Sequence, residues 1–263
     1  MGRLLILFLL LLPAGAGAHD PVFGLGPHVL FRNAVEIHMS AAQQKAGADR
    51  GTATLLQVGY GITANWSASL GLPYVRLDGS QQRETGRGPT RLASKYRFWR
   101  KDRPGVQESV SVLGKVVFDD AGVNGLDRKG NDYLAGLAYG YESRRWYRWA
   151  AVRHRFNSNA AGGAKRPDVW LVDLVGGIRF MPTEYTEPDW VWMLELNGEL
   201  ADKAVAGSGR QIGGNQWFLS PGLMWTRRNI AIKTGVQIPV YNNLASDQAA
   251  DDYRAVLEFE LHL

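Results

Sequence analysis

Twelve segments of the chain alternate apolar and polar residues with a period of two, the pattern of strands that have one apolar and one polar face. The last is the clearest. Tyr253, Ala255, Leu257, Phe259, Leu261 and Leu263 alternate with Arg254, Val256, Glu258, Glu260 and His262. In the segment before it, Ile230, Ile232, Val236 and Ile238 oppose Lys233 and Gln237. Further back, Trp190, Trp192, Leu194, Leu196 and Leu200 oppose Glu195, Asn197 and Glu199. The pattern predicts strands near 29–39, 53–62, 66–74, 91–100, 108–118, 132–142, 145–156, 168–180, 190–200, 216–226, 229–239 and 252–263.

A soluble sandwich alternates in the same way, so two further features decide. Aromatic residues gather towards strand ends: Trp66 and Tyr74, Tyr133 with Tyr139 and Tyr141, Trp190 and Trp192, Trp217 and Trp225. Such belts mark the two interfaces of outer-membrane barrels. The connections also alternate in length. Residues 40–52, 75–90, 119–131, 157–167, 201–215 and 240–251 form longer gaps than 63–65, 101–107, 143–144, 181–189 and 227–228 between them. Short turns at one end and long loops at the other follow the outer-membrane plan. The expected fold is an all-β, antiparallel transmembrane β-barrel of about 12 strands over residues 29–263, with short periplasmic turns and long extracellular loops. An even strand number puts both termini in the periplasm, and strands of about 9–12 residues match a tilted bilayer crossing.

The start of the chain reads as a signal peptide. Arg3 precedes an apolar run from Leu4 to Leu12, Pro13 ends it, and Ala16-Gly17-Ala18 offers a small-x-small cleavage site. That run is too short to cross about 30 Å of hydrocarbon as a helix. Removal of residues 1–18 would leave His19 first. Residues 19–28 would then form a periplasmic segment or a plug in the lumen. At the other end the chain closes on Leu263, with apolar residues at alternate positions behind it, much like the terminal strand read by the barrel-assembly machinery. The expected partners are that machinery, outer-membrane lipid and lipopolysaccharide, and a small-molecule solute. The location is the outer membrane of a Gram-negative cell.

Composition narrows the chemistry. The 263 residues include no cysteine, which excludes a disulfide scaffold, a thiolate metal site and a cysteine nucleophile. Thirty Lys and Arg against 25 Asp and Glu give a net charge of +5, too even for an argument for nucleic acid. Aromatics at 11% with 31 glycines suit a turn-rich β protein with an aromatic surface.

If the apolar face meets lipid, strand parity sends the ionisable face inward. The expected pore-lining residues are Glu36, His38, Lys95, Arg97, Lys115, Arg153, Arg155, Asp173, Arg179, Glu195, Glu199, Lys233, Arg254, Glu258 and Glu260. Positive charge concentrates on the fourth, fifth and seventh predicted strands and negative charge on the ninth and twelfth, an arrangement that orients polar solutes. By the same parity Arg148 and His154 fall on the lipid side. About eight strands enclose a core of side chains and about 16 leave a channel, so twelve leave both a pore and a plugged interior open.

No Gly-x-Ser-x-Gly elbow, His-Glu-x-x-His, Walker loop or dinucleotide fingerprint is present, and no enzyme is expected. The alternative of a barrel hydrolase acting on lipid rests on His154 and Ser158. They stand four apart, with Ser158 in a loop, whereas a base and nucleophile two apart share a strand face. A second alternative is metal handling: the amine and imidazole of a mature His19 would chelate copper, with His28 or His38 adding a ligand.

Several stretches carry a family resemblance. They are Gly59-Tyr60-Gly61-Ile62-Thr63 running into Leu70-Gly71-Leu72-Pro73-Tyr74, and Ala93-Ser94-Lys95-Tyr96-Arg97-Phe98. The others are Tyr139-Gly140-Tyr141-Glu142-Ser143-Arg144-Arg145-Trp146, Ser220-Pro221-Gly222-Leu223 and Gly235-Val236-Gln237-Ile238-Pro239-Val240-Tyr241. In these the chain resembles the bacterial outer-membrane proteins of the MetA-pathway of phenol degradation, a transporter-like barrel family. The resemblance implies passive passage of small solutes, aromatic or hydrophobic compounds among them, and no catalytic residues.

Overall fold

A computed structural model describes residues 19–79, 83–123, 128–160, 162–183, 186–205, 211–246 and 248–263; the signal-peptide reading at 1–18 lies outside the described residues. Thirteen antiparallel strands form one sheet: β1 (Val35–Ala46), β2 (Asp49–Thr63), β3 (Trp66–Asp78), β4 (Arg83–Arg87), β5 (Arg91–Arg103), β6 (Val106–Val117), β7 (Asp132–Ser143), β8 (Trp146–Phe156), β9 (Val169–Arg179), β10 (Asp189–Val205), β11 (Gln211–Arg227), β12 (Ile230–Leu244) and β13 (Tyr253–His262). Each long strand pairs with its neighbour in sequence, and β1 pairs with β13, so the sheet closes on itself. Closure leaves no free edge, the condition for a sheet to stand in hydrocarbon. The short β4 folds back on the outer end of β3 and is not one of the twelve staves.

The start of β1 and the end of the described chain lie together, since Val35 and Leu263 exchange backbone hydrogen bonds at 3.0 and 2.7 Å. At this end the turns are residues 64–65, 104–105, 144–145 and 228–229, with a longer connection described at 180–183 and 186–188. The opposite end carries residues 79 and 88–90 around β4, then 118–123 and 128–131, 157–160 and 162–168, and 245–246 and 248–252.

The first hairpin departs from the expected alternation. Residues 40–52, read as a loop, belong to β1 and β2, which pair without interruption from Val35↔Tyr60 to Ala46↔Asp49. Gly47 turns the chain at φ 58°, in the left-handed region open to glycine. Gln43, Gln44 and Lys45 are polar because this part of the ladder lies towards the outer end, not because the strand has stopped. The front of the first predicted strand shifts correspondingly. Residues 29–34 form a turn with Asn33 at φ 65°, and the barrel begins at Val35.

The faces divide as parity requires. Leu70, Leu72, Val152, Leu174, Leu194, Ile232 and Leu257 are all exposed on the outer wall. Tyr74, Tyr133, Phe156, Trp170 and Tyr241 ring it at the loop end. Trp66, Tyr96, Trp99, Trp146, Trp190 and Trp192 ring it at the turn end. Arg148 and His154 do point outward. Arg148 lies over the Tyr141 ring at 5.5 Å, and His154 packs 4.4 Å from both Phe156 and Trp170.

Leu257 sits near the middle of β13 and is 55% exposed. Leu257→Arg is therefore expected to destabilise the barrel in lipid vesicles by about 2–4 kcal/mol, measured by denaturant titration. A cost near zero would place this position outside the hydrocarbon.

Candidate functional site

The lumen is not empty. Residues 19–28 run inside the turn-end half of the barrel, from His19 at β13 to His28 at β7, and Leu30 then lies against Gly59 on β2. The central anchor is Glu195 on β10, which is fully buried. Its carboxylate accepts three consecutive backbone N–H groups: Val22 at 2.8 Å, Phe23 at 3.2 Å and Gly24 at 2.8 Å. Charge-assisted bonds of this kind each contribute about 1.5–3 kcal/mol. The Leu25 backbone bonds the neighbouring Asp173 on β9. Behind these carboxylates lies a connected network. Arg153 meets Asp173 at 2.5 Å, and Asn197 donates to Asp173 at 3.0 Å. Asn197 in turn accepts from Ser220 at 2.7 Å and Gln237 at 3.1 Å.

Side-chain contacts complete the dock. Val22 packs with Trp149, Val175, Val191, Met193 and Met224, and Leu25 with Leu113, Leu134, Ala138, Ala151, Val169 and Leu171. Apolar residues thus also line part of the interior. Gly222 and Gly235 are paired across β11 and β12. A Cβ on Gly222 would come 2.9 Å from Val22, and one on Gly235 would come 2.8 Å from the Phe23 ring. The wall is bare there because the segment lies against it.

Both ends of the segment are tied by contacts to acidic and basic side chains. His19 Nδ1 lies 2.7 Å from Glu260 Oε2, and Lys233 Nζ lies 2.6 Å from Glu260 Oε1. Asp20 meets Lys95 at 2.7 Å across the lumen. His28 pairs with Glu142 on β7 while Pro27 covers Gly140.

Beside the segment remains a cavity of about 650 Å³, lined by β1, β2, β3, β5 and β6 with parts of β8, β12 and β13. It follows β1 from Glu36 to Gln44, roughly 26 Å of strand. Glu36, His38, Lys95, Lys115, Arg153, Lys233, Arg254, Glu258 and Glu260 line it, as do Arg91 and Asp20, which the charge pattern alone had not singled out. The other expected residues are placed differently. Glu195 and Asp173 hold the segment. Glu199 pairs with Arg254 at 2.6 Å and is also the foremost charged neighbour of Arg155 on β8, which is not among the residues lining the cavity. Arg97 folds onto the β2–β3 turn, donating to Ala64 O at 2.8 Å, and Arg179 meets Asp189 at 2.5 Å at the turn-end rim.

His28 is not brought to His19, whereas His38 stands with Glu258 and Glu260 within 4.8 Å of one another. His19 lies against β13 and His28 against β7, on opposite walls. The donors near His19 are instead Glu260 and His262, within 4.8 Å of one another. Both Glu260 oxygens are already engaged, by His19 and by Lys233. His154 faces outward, and the Ser158 hydroxyl donates to Asp132 at 2.7 Å, so base and hydroxyl do not meet.

No protein-family model matches the chain, and no curated protein matches it in sequence. Solved structures match it in shape. An outer membrane channel from Pseudomonas putida F1 superposes with a TM-score of 0.64 at 10% identity, covering 94% of this chain and 100% of that one. NanC porin superposes at 0.54 and 11% identity over 86% and 100%, and LpxR from Salmonella typhimurium at 0.54 and 8% over 86% and 99%. At such identities the likeness shows the fold: a closed twelve-strand barrel of outer-membrane type.

The chain has no cysteine, so Val22→Cys supplies a unique, buried thiol. Adding Glu195→Ala is expected to speed its maleimide labelling at least tenfold. Equal rates in the two backgrounds would show that Glu195 does not hold the segment.

Proposed function

We propose that this chain is a passive outer-membrane channel for small solutes, with its termini and short turns in the periplasm and its longer loops outside the cell. One observation carries the reading: a 650 Å³ cavity runs along the inside of β1, beside a segment that occupies the opposite wall. Twelve staves leave room for either a plug or a passage, and here the segment and the inward side chains leave this space unfilled. The segment sets the size of the passage by occupying part of the lumen's turn-end section. Lumenal charge then sets what enters the remaining space. The neighbours that are channels or porins by name support the same reading through their fold alone.

In this reading residues 1–18 are a removed signal peptide, and the barrel-assembly machinery recognises the C-terminal strand. The resemblance to the phenol-pathway barrels suggests aromatic or hydrophobic solutes. Leu30, Leu55, Val75, Leu77 and Leu113 on the cavity wall suit an apolar body. No bond-making step is needed, and passage follows the concentration gradient.

Protein comprising residues 19–263 in planar bilayers is expected to give small, discrete conductance steps. Deleting 19–28 is expected to enlarge the steps several-fold, because the segment would no longer share the lumen. Silence from both proteins, with no solute uptake in swelling assays, would remove the channel reading and leave the fold standing.

A further inference from the structure

Cations on the β5–β8 wall stand in tiers set by strand register. Lys95 aligns through Leu113 and Gly136 with Arg153. Two residues further towards the loop end, Ala93 aligns through Lys115 and Leu134 with Arg155. One tier above, Arg91 aligns through Val117 with Asp132. Strands lie about 4.8 Å apart, so Lys115 and Arg155 are separated by roughly 10 Å at the backbone.

Carboxylates do not balance this wall. Lys95 has Asp20 and Arg153 has Asp173. At the outer end Arg128 and Arg166 share the single Asp132, at 3.6 and 3.4 Å. Among the described residues, Arg91, Lys115 and Arg155 have no carboxylate within ion-pair distance, and the buried Nε of Arg155 has no hydrogen-bond partner. The strongest charged neighbours of Lys115 are Arg91, Arg153, Lys95 and Arg155, all cations. The opposite wall differs. There Lys233 is held between Glu258 at 2.9 Å and Glu260 at 2.6 Å, and Arg254 between Glu199 and Asp251, both at 2.6 Å. Unpaired cations crowded at a water-filled cavity raise its potential and favour an anion entering among them.

We propose that Arg91 and Lys115 form a binding site in the cavity for the carboxylate of a small organic acid, with Arg155 adding to the local potential. The acid's apolar body lies against Leu55, which lines the same cavity and flanks Gly71 together with Arg91. Arg91 offers the planar fork that matches a carboxylate's two oxygens, and Lys115 offers a point charge from the adjacent strand. The site lies on the loop-end side of the Asp20–Lys95 pair, so an acid arriving from outside meets it before it reaches the segment. This deepens the channel reading by naming the solute class, and its binding can be tested without any conductance.

The test uses benzoate and its neutral isostere benzamide, titrated calorimetrically into the detergent-solubilised protein at low and high salt. Benzoate is expected to bind saturably, at least tenfold more tightly than benzamide, and to weaken as salt rises. Lys115→Gln and Arg91→Gln are each expected to lower benzoate affinity at least tenfold. Equal binding of the two ligands by the unaltered protein would overturn the site whether or not the variants fold. Unchanged benzoate affinity in both variants would overturn it too. In planar bilayers a salt gradient is expected to show anion preference, and cation preference would again overturn it. Benzoate binding without conductance would sink the channel reading and leave this site in place.

Discussion

Three consecutive backbone N–H groups, those of Val22, Phe23 and Gly24, converge on one buried carboxylate, Glu195. The organisation of the lumen follows from that contact. A closed sheet of twelve strands encloses more space than its own inward side chains fill. An extended segment laid inside it must satisfy its backbone donors, because an unpaired buried N–H costs about as much as a lost hydrogen bond. Glu195 and Asp173 supply the acceptors. The glycine pair Gly222–Gly235 supplies the room, and Val22 and Leu25 supply the apolar contact. The interior is thereby divided into a packed half and a half that holds a cavity.

The division also arranges charge. The segment brings Asp20 to Lys95 and His19 to Glu260, and so engages a charged group on each wall near the turn end. Further towards the loops, among the described residues, the wall of β5, β6 and β8 keeps Arg91, Lys115 and Arg155 with no carboxylate within ion-pair distance. The outer face answers to a different constraint. It carries apolar side chains between two aromatic belts, and its Arg148 is held over Tyr141 at the turn end. One sheet serves both surroundings because successive side chains point to opposite faces.

Much of this is legible in the chain. The period-two pattern of β13, with Leu257 and Phe259 against Glu258 and Glu260, contains the fold, the closure and the inward faces together. It fails where local polarity imitates a loop. Gln43 to Lys45 read as a connection because strand ends beyond the hydrocarbon need no apolar face, and Gly47 alone marked the turn. The plug was less visible, since residues 19–28 have no periodicity and their hydrogen bonds run to strands about 170 residues away. A signal existed at Gly222 and Gly235, whose parity points them inward with nothing to fill the lumen. Pairing of charges across the barrel depends on three-dimensional position, so Arg97 and Arg179 read as pore-lining although both are spent at the rim.

The central claim is that one face of each stave touches acyl chains while the next residue faces water. Spin labels placed singly at Leu257 and Glu258 in vesicle-embedded protein test it most directly, through collision rates with oxygen and with a water-soluble nickel chelate. Position 257 is expected to favour oxygen, which concentrates in hydrocarbon, and position 258 to favour the chelate or to be shielded from both. The reverse order, or two labels equally open to the nickel chelate, would contradict a membrane-spanning barrel with a polar interior.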